Sequence, residues 1–383
     1  MKKAGFLILS FLIFFAFLSC GGSKKSSTSN NIVIGAIFSL SGEDAFIGSE
    51  ARDGALLAFQ RINARGGLLG KRLDFISEDD EGSDAKAVQI FNKLITENGA
   101  HFIIGSSAVG TTRALSQEAQ QNQILFISPV VSDAGITKAG DFVFRVCLVD
   151  SRQGIVGADF AHETLSAGRA AVLYNTLSEY SSGLALGFKN EFSELGGEIV
   201  ADETYQAGET DFSAQIARIS AARPDVIYLP NFNKDVAIQA KQLREKGISA
   251  ALLGGDSWNG LTDIAGDELL NSYWTVSFSN DTQDARGREF IKSFNNRYVR
   301  LPSYYAALGY DAMYLLAEAI NAAGSFDGPA VKDAMTKINT LFETGNIRFD
   351  ADRNPVKGAT VVEIIKQDNG SLFNSYSTFV NPN

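Results

Sequence analysis

Residues 32–82 read IVIGAIFSLSGEDAFIGSEARDGALLAFQRINARGGLLGKRLDFISEDDEG. Ile32 to Phe38 is an apolar, β-branched run, and it is followed by Ser39, Ser41, Gly42, Glu43 and Asp44. Ala55, Leu56, Phe59 and Ile62 then recur at helical spacing. Gly66 and Gly67 stop the helix, where the chain needs a left-handed residue, and a second strand begins at Leu73. Strand, helix and strand in that order make a βαβ unit, and open parallel sheets bind ligands at the carboxyl ends of their strands. The loop from Ser39 to Gly48 is the first candidate wall of a site.

The same rhythm recurs outward from this unit. Helices are expected at 85–95, capped by Ser83 and Asp84, and at 111–121, with strands at 101–104 and 124–127. A second series starts near Ser151, with strands at 169–174, 198–205, 225–229, 251–254 and 273–277 around helices at 182–195, 212–222 and 235–245. Helices at 285–298, 310–323 and 328–337 and strands at 347–349 and 360–366 are left over. They must pack back onto the two series, so the chain crosses between them more than once. The expected fold is α/β, two doubly wound parallel-sheet lobes joined by a hinge that permits closure on a ligand.

The chain has 383 residues, more than one hydrophobic core usually supports, and is 45% hydrophobic and 20% charged. Lys2 and Lys3 precede an apolar run from Phe6 to Leu18, which ends at Ser19 and Cys20. A basic start, a short apolar core and small residues describe an export signal over 1–19, and the terminal cysteine points to lipid attachment at Cys20. The run is too short to span a bilayer. Residues 20–31, rich in Gly, Ser, Lys and Asn, read as a flexible tether. The formal net charge is −10, and loss of Lys2 and Lys3 with the signal makes it more negative, which argues against nucleic acid as a partner. Cys147 is the only other cysteine; it lies in FVFRVCLV and reads as a buried, inert thiol.

Motifs for catalysis are thin. The segment Gly66 to Lys71 has the glycines of a phosphate loop but sits after a helix and before a strand. Ser83 and Lys86 have the S-x-x-K spacing without an accompanying K-T-G, and helix capping explains Ser83. His101 and His162 have no second ligand at metal spacing, and no G-x-S-x-G is present. The expected protein is neither an enzyme nor a carrier of a metal or cofactor. What stands out is a set of strand-end loops: Ser106, Ser107, Thr111 and Thr112; Ser128 and Ser132; Thr176, Ser178, Tyr180 and Ser181; Asn231, Phe232 and Asn233; and Asp256, Ser257 and Trp258. Hydroxyls suit a carboxylate, an acid suits an ammonium, and aromatic faces suit an apolar side chain. Ser and Thr in such loops also cap helices.

GAIFSLSG, GALLAFQRINARGGLLGKRLDF, FIIGSSA, ISPVVSD, FVFRVCLVDSRQG, YSSGLALGFKNEFSELGG, ALGYDAMYLLAEAI and GNIRFDADRNP together give the resemblance. The mature chain resembles, over nearly its whole length, the substrate-binding proteins of branched-chain amino-acid ABC transporters, which have the type I periplasmic-binding-protein fold. The resemblance implies lobe 1 at 32–148 plus 279–357 and lobe 2 at 149–278 plus 358–383, with crossings near Leu148, Ser279 and Lys357. It assigns Ser132 and the backbone of Val130 to the ligand's α-carboxylate and amino group, Tyr180, Phe232 and Tyr305 to aromatic walls, and Asp256 to the ammonium. Ser106, Ser107 and Thr111 lie near the carboxylate position; Val109 and Ile47 stand where relatives commonly carry a serine and an aromatic. The implied protein is an exported, lipid-anchored monomer delivering an amino acid or similar small polar metabolite to an ABC permease. A sensor signalling to a membrane receptor or kinase is the alternative.

Overall fold

In the computed structural model, which describes residues 31–381, the opening run is the second strand of a five-stranded sheet. The signal segment, Cys20 and the tether up to residue 30 lie outside the described residues. Strand β1 (Ile32–Phe38), helix α1 (Ala45–Ala64), β2 (Leu73–Asp79), α2 (Asp84–Thr96), β3 (Ala100–Gly105), α3 (Val109–Asn122), β4 (Leu125–Ser128) and β5 (Val143–Arg145) follow in order. The sheet order is β2-β1-β3-β4-β5, and every pair is parallel. All of β1 except Val33 is buried, as expected for a parallel strand covered on both faces.

Lobe 2 contains α4 (Asp150–Asp159), β6 (Arg169–Asn175), α5 (Glu179–Glu194), β7 (Glu198–Tyr205), α6 (Ser213–Ala222), β8 (Val226–Tyr228), α7 (Asn233–Glu245), β9 (Ala251–Gly254) and β10 (Ser272–Val276). The chain then returns to lobe 1 through α8 (Ala285–Tyr298), α9 (Tyr304–Ala323), α10 (Gly328–Met335), β11 (Asn339–Phe342), β12 (Gly345–Phe349) and β13 (Pro355–Val356). It ends in β14 (Ala359–Lys366) and β15 (Leu372–Val380). The second sheet has the order β15-β14-β10-β9-β8-β6-β7. Its inner strands are parallel, whereas β14 runs antiparallel to both β10 and β15, so the doubly wound sheet carries an antiparallel edge. Three passages between the sheets form the hinge. Among the described residues, no helix is long and apolar enough to cross a membrane.

Two departures from the sequence expectation bear on the site. Helix α1 begins at Ala45, so Ile47 and Gly48 belong to its first turn rather than to a loop. A Cβ at Gly48 would overlap the Ser39 carbonyl oxygen, which is why this turn can lie directly on the end of β1. Helix α4 was not expected at all. Gly154 and Gly157 weaken its periodic pattern, yet Gly154 is what lets α4 approach the Leu184 carbonyl of α5.

Helices α1 and α9 meet through Gly54, which faces the Ala306 carbonyl, and Gly309, which faces the Ala51 carbonyl. Small residues allow the two backbones to touch. The turn before α9 is fixed electrostatically: Ser303 N–H donates to Glu50 Oε2 at 2.9 Å, while Arg300 pairs with Glu50 and, at 2.7 Å, with Asp53. This anchoring sets Tyr304 and Tyr305, the first residues of α9, beside the start of α1.

Candidate functional site

On lobe 1, the ends of β1, β2 and β3 are tied together by a buried carboxylate. Asp80 accepts hydrogen bonds from the Ser39 hydroxyl at 2.7 Å, the Ser106 hydroxyl at 2.6 Å and the Gly82 N–H at 2.9 Å. Ser107 Oγ accepts the Ser39 N–H at 3.1 Å, and the Thr111 hydroxyl reaches Ser106 Oγ at 2.9 Å and the Ala108 carbonyl at 3.0 Å. Ser106, Ser107 and Thr111 are all buried. The sequence grouped these hydroxyls with the ligand; in the structure Ser106 and Thr111 donate within the lobe, and Ser107 Oγ accepts a backbone N–H. Val109, the first residue of α3, stays 44% exposed, and Ile47 is half-buried.

The aromatic surface of this lobe comes from elsewhere. Phe46, 58% exposed, packs edge-on against Tyr305 with ring centroids 6.3 Å apart, and Tyr305 lies 4.0 Å from the ring of Tyr304. Phe46 immediately precedes Ile47, so the aromatic expected near that position is displaced by one residue. The loop after β4 carries half-buried Val130 and Ser132. Arg145, fully buried in β5, secures that loop by donating to the Val131 carbonyl at 3.2 Å and the Asp133 carbonyl at 2.5 Å.

On lobe 2, Tyr180 in the first turn of α5 is aimed by two hydrogen bonds. Its hydroxyl donates to Asp256 Oδ1 at 2.9 Å and accepts the Ser257 N–H at 3.1 Å. Its ring packs at 5.3 Å against Phe232, which is 55% exposed. Asp256 also takes a hydrogen bond from Gln153 of α4. Burial nevertheless raises its carboxyl above the ordinary range, and the bonds from Tyr180 and Gln153 offset this only in part. Trp258 is fully buried with its Nε1–H on the Leu229 carbonyl at 3.0 Å, so it supports the loop and does not line the cleft.

The two walls face each other. Burial, followed by the negative charge of Asp256, raises the phenol pKa of both Tyr304 and Tyr305, so lobe 1's aromatics sit within the field of lobe 2's acid. Of the eleven expected ligand-facing residues, the structure thus brings Tyr305, Tyr180, Phe232 and Asp256 together. Ser132 reaches the same region through a residue that the sequence reading missed. That residue is Asp150, which opens α4 just after the first crossing. The Ser132 hydroxyl hydrogen-bonds its carboxylate, whose Oδ1 is buried with no hydrogen-bond partner. Burial, and then repulsion from Asp256, pushes its pKa up to about 7. The signal available in the sequence was an acid in the first turn of a glycine-masked helix. Cys147 is buried and its thiol is pushed up to about 12 by burial, in keeping with an inert side chain.

This geometry can hold an ammonium against carboxylates and an apolar body against rings. Comparison with known proteins gives the family. The family described as periplasmic binding protein matches residues 31–370. A Leu/Ile/Val-binding protein homolog 1 of Brucella abortus is 30% identical over 346 residues, covering 89% of this chain and 91% of its own. A leucine-, isoleucine-, valine-, threonine-, and alanine-binding protein of Pseudomonas aeruginosa is 26% identical, covering 88% and 91%. Among solved structures, a branched-chain amino acid transporter substrate binding protein of Streptococcus pneumoniae, in complex with isoleucine, is 30% identical with a TM-score of 0.73, covering 91% and 99%.

Proposed function

The chain belongs to the periplasmic-binding-protein family, and from that premise we propose that it captures an amino acid or similar small polar metabolite in the interlobe cleft and delivers it to an ABC permease. It is a binding protein and not an enzyme, as its relatives are. The observation that carries the reading is the convergence of Tyr305 from lobe 1 with the Tyr180–Asp256 pair from lobe 2. Closure buries the ligand between these walls. Asp256 receives the ammonium, Ser132 and the Val130 backbone meet the ligand's polar head, and Tyr180, Phe232 and Tyr305 enclose its body. The lobes divide at 32–148 plus 279–357 and 149–278 plus 358–383.

Export and anchoring complete the proposal: residues 1–19 direct the chain out of the cytoplasm, and Cys20 carries lipid. Incorporation of a fatty-acid probe into the wild type, and its loss in Cys20→Ala, tests the anchor. The ligand is found by thermal-shift screening against amino acids, their amides and amines, because a compound that binds only the folded state raises the melting temperature. A concentration-dependent rise with members of this panel supports the function. No rise with any of them overturns it.

A further inference from the structure

A cavity of about 370 Å³, within the size range of small-molecule sites, lies at the hinge, and none of the cleft residues named above lines it. Its walls come from both sides of the hinge: Phe278 just after β10, with Tyr376 and Phe379 of β15, faces the first turn of α8 and the β11–β12 hairpin that carries Phe342 and Glu343. The hairpin belongs with lobe 1, since Phe349 of β12 packs edge-on against Phe144 of β5 with ring centroids 5.1 Å apart. Two glycines seat the Phe379 ring where the chain passes from β13 to β14: a Cβ at Gly358 would lie 2.7 Å from its Cε1, and one at Gly345 3.4 Å from its Cζ. The lining holds two acids, Asp284 and Glu343, and one base, Arg286. That guanidinium is engaged, with Nε on Asp284 Oδ1 and Nη2 on Asp284 Oδ2, both at 3.3 Å, and Nη1 on the Leu341 carbonyl at 3.0 Å. Glu343 is left over: its Oε2 is buried and no hydrogen bond reaches it. Burial, followed by the charge of Asp311, raises its carboxyl to about 7.

We propose that this hinge cavity is a second small-molecule site, which takes a primary amine with a flat aromatic body and whose occupancy is coupled to closure of the solute cleft. The coupling rests on the solute-binding reading above; the site does not. Four rings, Phe278, Phe342, Tyr376 and Phe379, offer apolar area and electron-rich faces to such a body. An ammonium brings N–H donors and a positive charge to a wall whose carboxylate lacks a partner. An anion in the same place meets Glu343 and Asp284, and the one guanidinium of the lining is already engaged. Coupling follows from the origin of the walls. Rotation of one lobe against the other moves Tyr376 and Phe379 relative to the hairpin, so the cavity differs in shape between open and closed forms. An occupant that fits one form better biases the hinge toward it.

Calorimetric titration of the full chain with tryptamine, 3-methylindole and indole-3-propionate tests the site. Tryptamine should bind the wild type and Asp256→Ala alike, within about threefold, because Asp256 belongs to the cleft. 3-Methylindole should bind at least about tenfold more weakly than tryptamine, and indole-3-propionate should be silent. Glu343→Gln, nearly the same in shape, should lose at least about tenfold for tryptamine and leave 3-methylindole unchanged. Asn346→Trp, at the exposed rim of the cavity, should block both. Absence of tryptamine binding to the wild type overturns the proposal, as does binding that is lost in Asp256→Ala or kept in both Glu343→Gln and Asn346→Trp. The coupling is read with the tightest cleft ligand from the thermal-shift panel: saturating tryptamine should change its affinity by at least about threefold in the wild type, and the same concentration should leave Glu343→Gln unaffected. Unchanged affinity in the wild type overturns the coupling and leaves the site. A panel with no cleft ligand overturns the solute-binding reading and the coupling with it, while tryptamine binding to Asp256→Ala still decides the site.

Discussion

Arg113 of α3 hydrogen-bonds Asp133 Oδ2 in its own lobe at 2.7 Å and reaches across to Glu179 Oε2, at the start of α5 in the other lobe, at 3.1 Å. The two lobes are therefore joined at the loops that carry the candidate site. Closing contacts of this kind set the apparent affinity, since a ligand pays for whatever fraction of the protein is open.

Arg113→Ala should shift the unliganded protein toward the open form. The pair is exposed, so its contribution is about 0.2–1 kcal/mol and is screened by salt. We expect a larger radius of gyration by small-angle X-ray scattering at low salt, with the difference from wild type shrinking at high salt. Identical scattering at both would show that the pair does not bias closure.

Ser106 separates a supporting role from a ligand contact. Ser106→Ala leaves Asp80 short of a buried hydrogen bond and should lower stability by about 1–3 kcal/mol in urea unfolding. Ligand affinity, once the variant is folded, should change by less than about threefold. A large affinity loss with unaltered stability would return this hydroxyl to the ligand.

Asp150 gives a pH dependence with a definite sign. Its carboxyl is raised from 3.8 to about 7 in the folded protein, in the company of Asp256, Asp133 and Arg145. Between these values the folded state binds more protons than the unfolded state, so stability falls as pH rises from about 4 to 7. Asp150→Asn should remove on the order of 2–4 kcal/mol of that fall. Asp159, raised to about 6, and Glu343, raised to about 7, titrate in the same window, so the informative quantity is the difference between variant and wild type. Parallel stability curves would contradict the assignment.

Cys147 should resist modification. With its thiol buried and pushed up to about 12, the native protein should react with an aromatic disulfide reagent only after unfolding. Rapid labelling at neutral pH would mean that this part of the hinge opens.

The βαβ rhythm was legible because buried parallel strands are nearly continuous apolar runs, as in Ile32–Phe38. Edge strand β15 escaped notice because its half-exposed sequence, LFNSYSTFV, mixes polar and apolar residues. Close packing hid the helices near the site: Gly48 and Gly154 are required by neighbouring carbonyls, and glycine reads as a break in a helical pattern. The resemblance assigned Asp256 and Tyr180 their roles, and the structure joins the two side chains in one hydrogen bond. Ser106, Ser107 and Thr111 could not be sorted in that way. Whether a strand-end hydroxyl faces a cleft or an internal carboxylate depends on Asp80, which lies 26 residues from Ser106 in sequence. Asp150 was missed for the complementary reason, since an acid in a first turn usually reports only a favourable helix dipole.

The central claim is that Asp256 receives a ligand ammonium inside the closed cleft, and calorimetric titration of Asp256→Ala with the tightest ligand from the thermal-shift panel tests it most directly. Removing one partner of a buried, hydrogen-bonded charge pair costs about 2–5 kcal/mol. The account predicts an affinity loss of about 30- to 5,000-fold in a variant that remains folded. Unchanged affinity in that folded variant would contradict it.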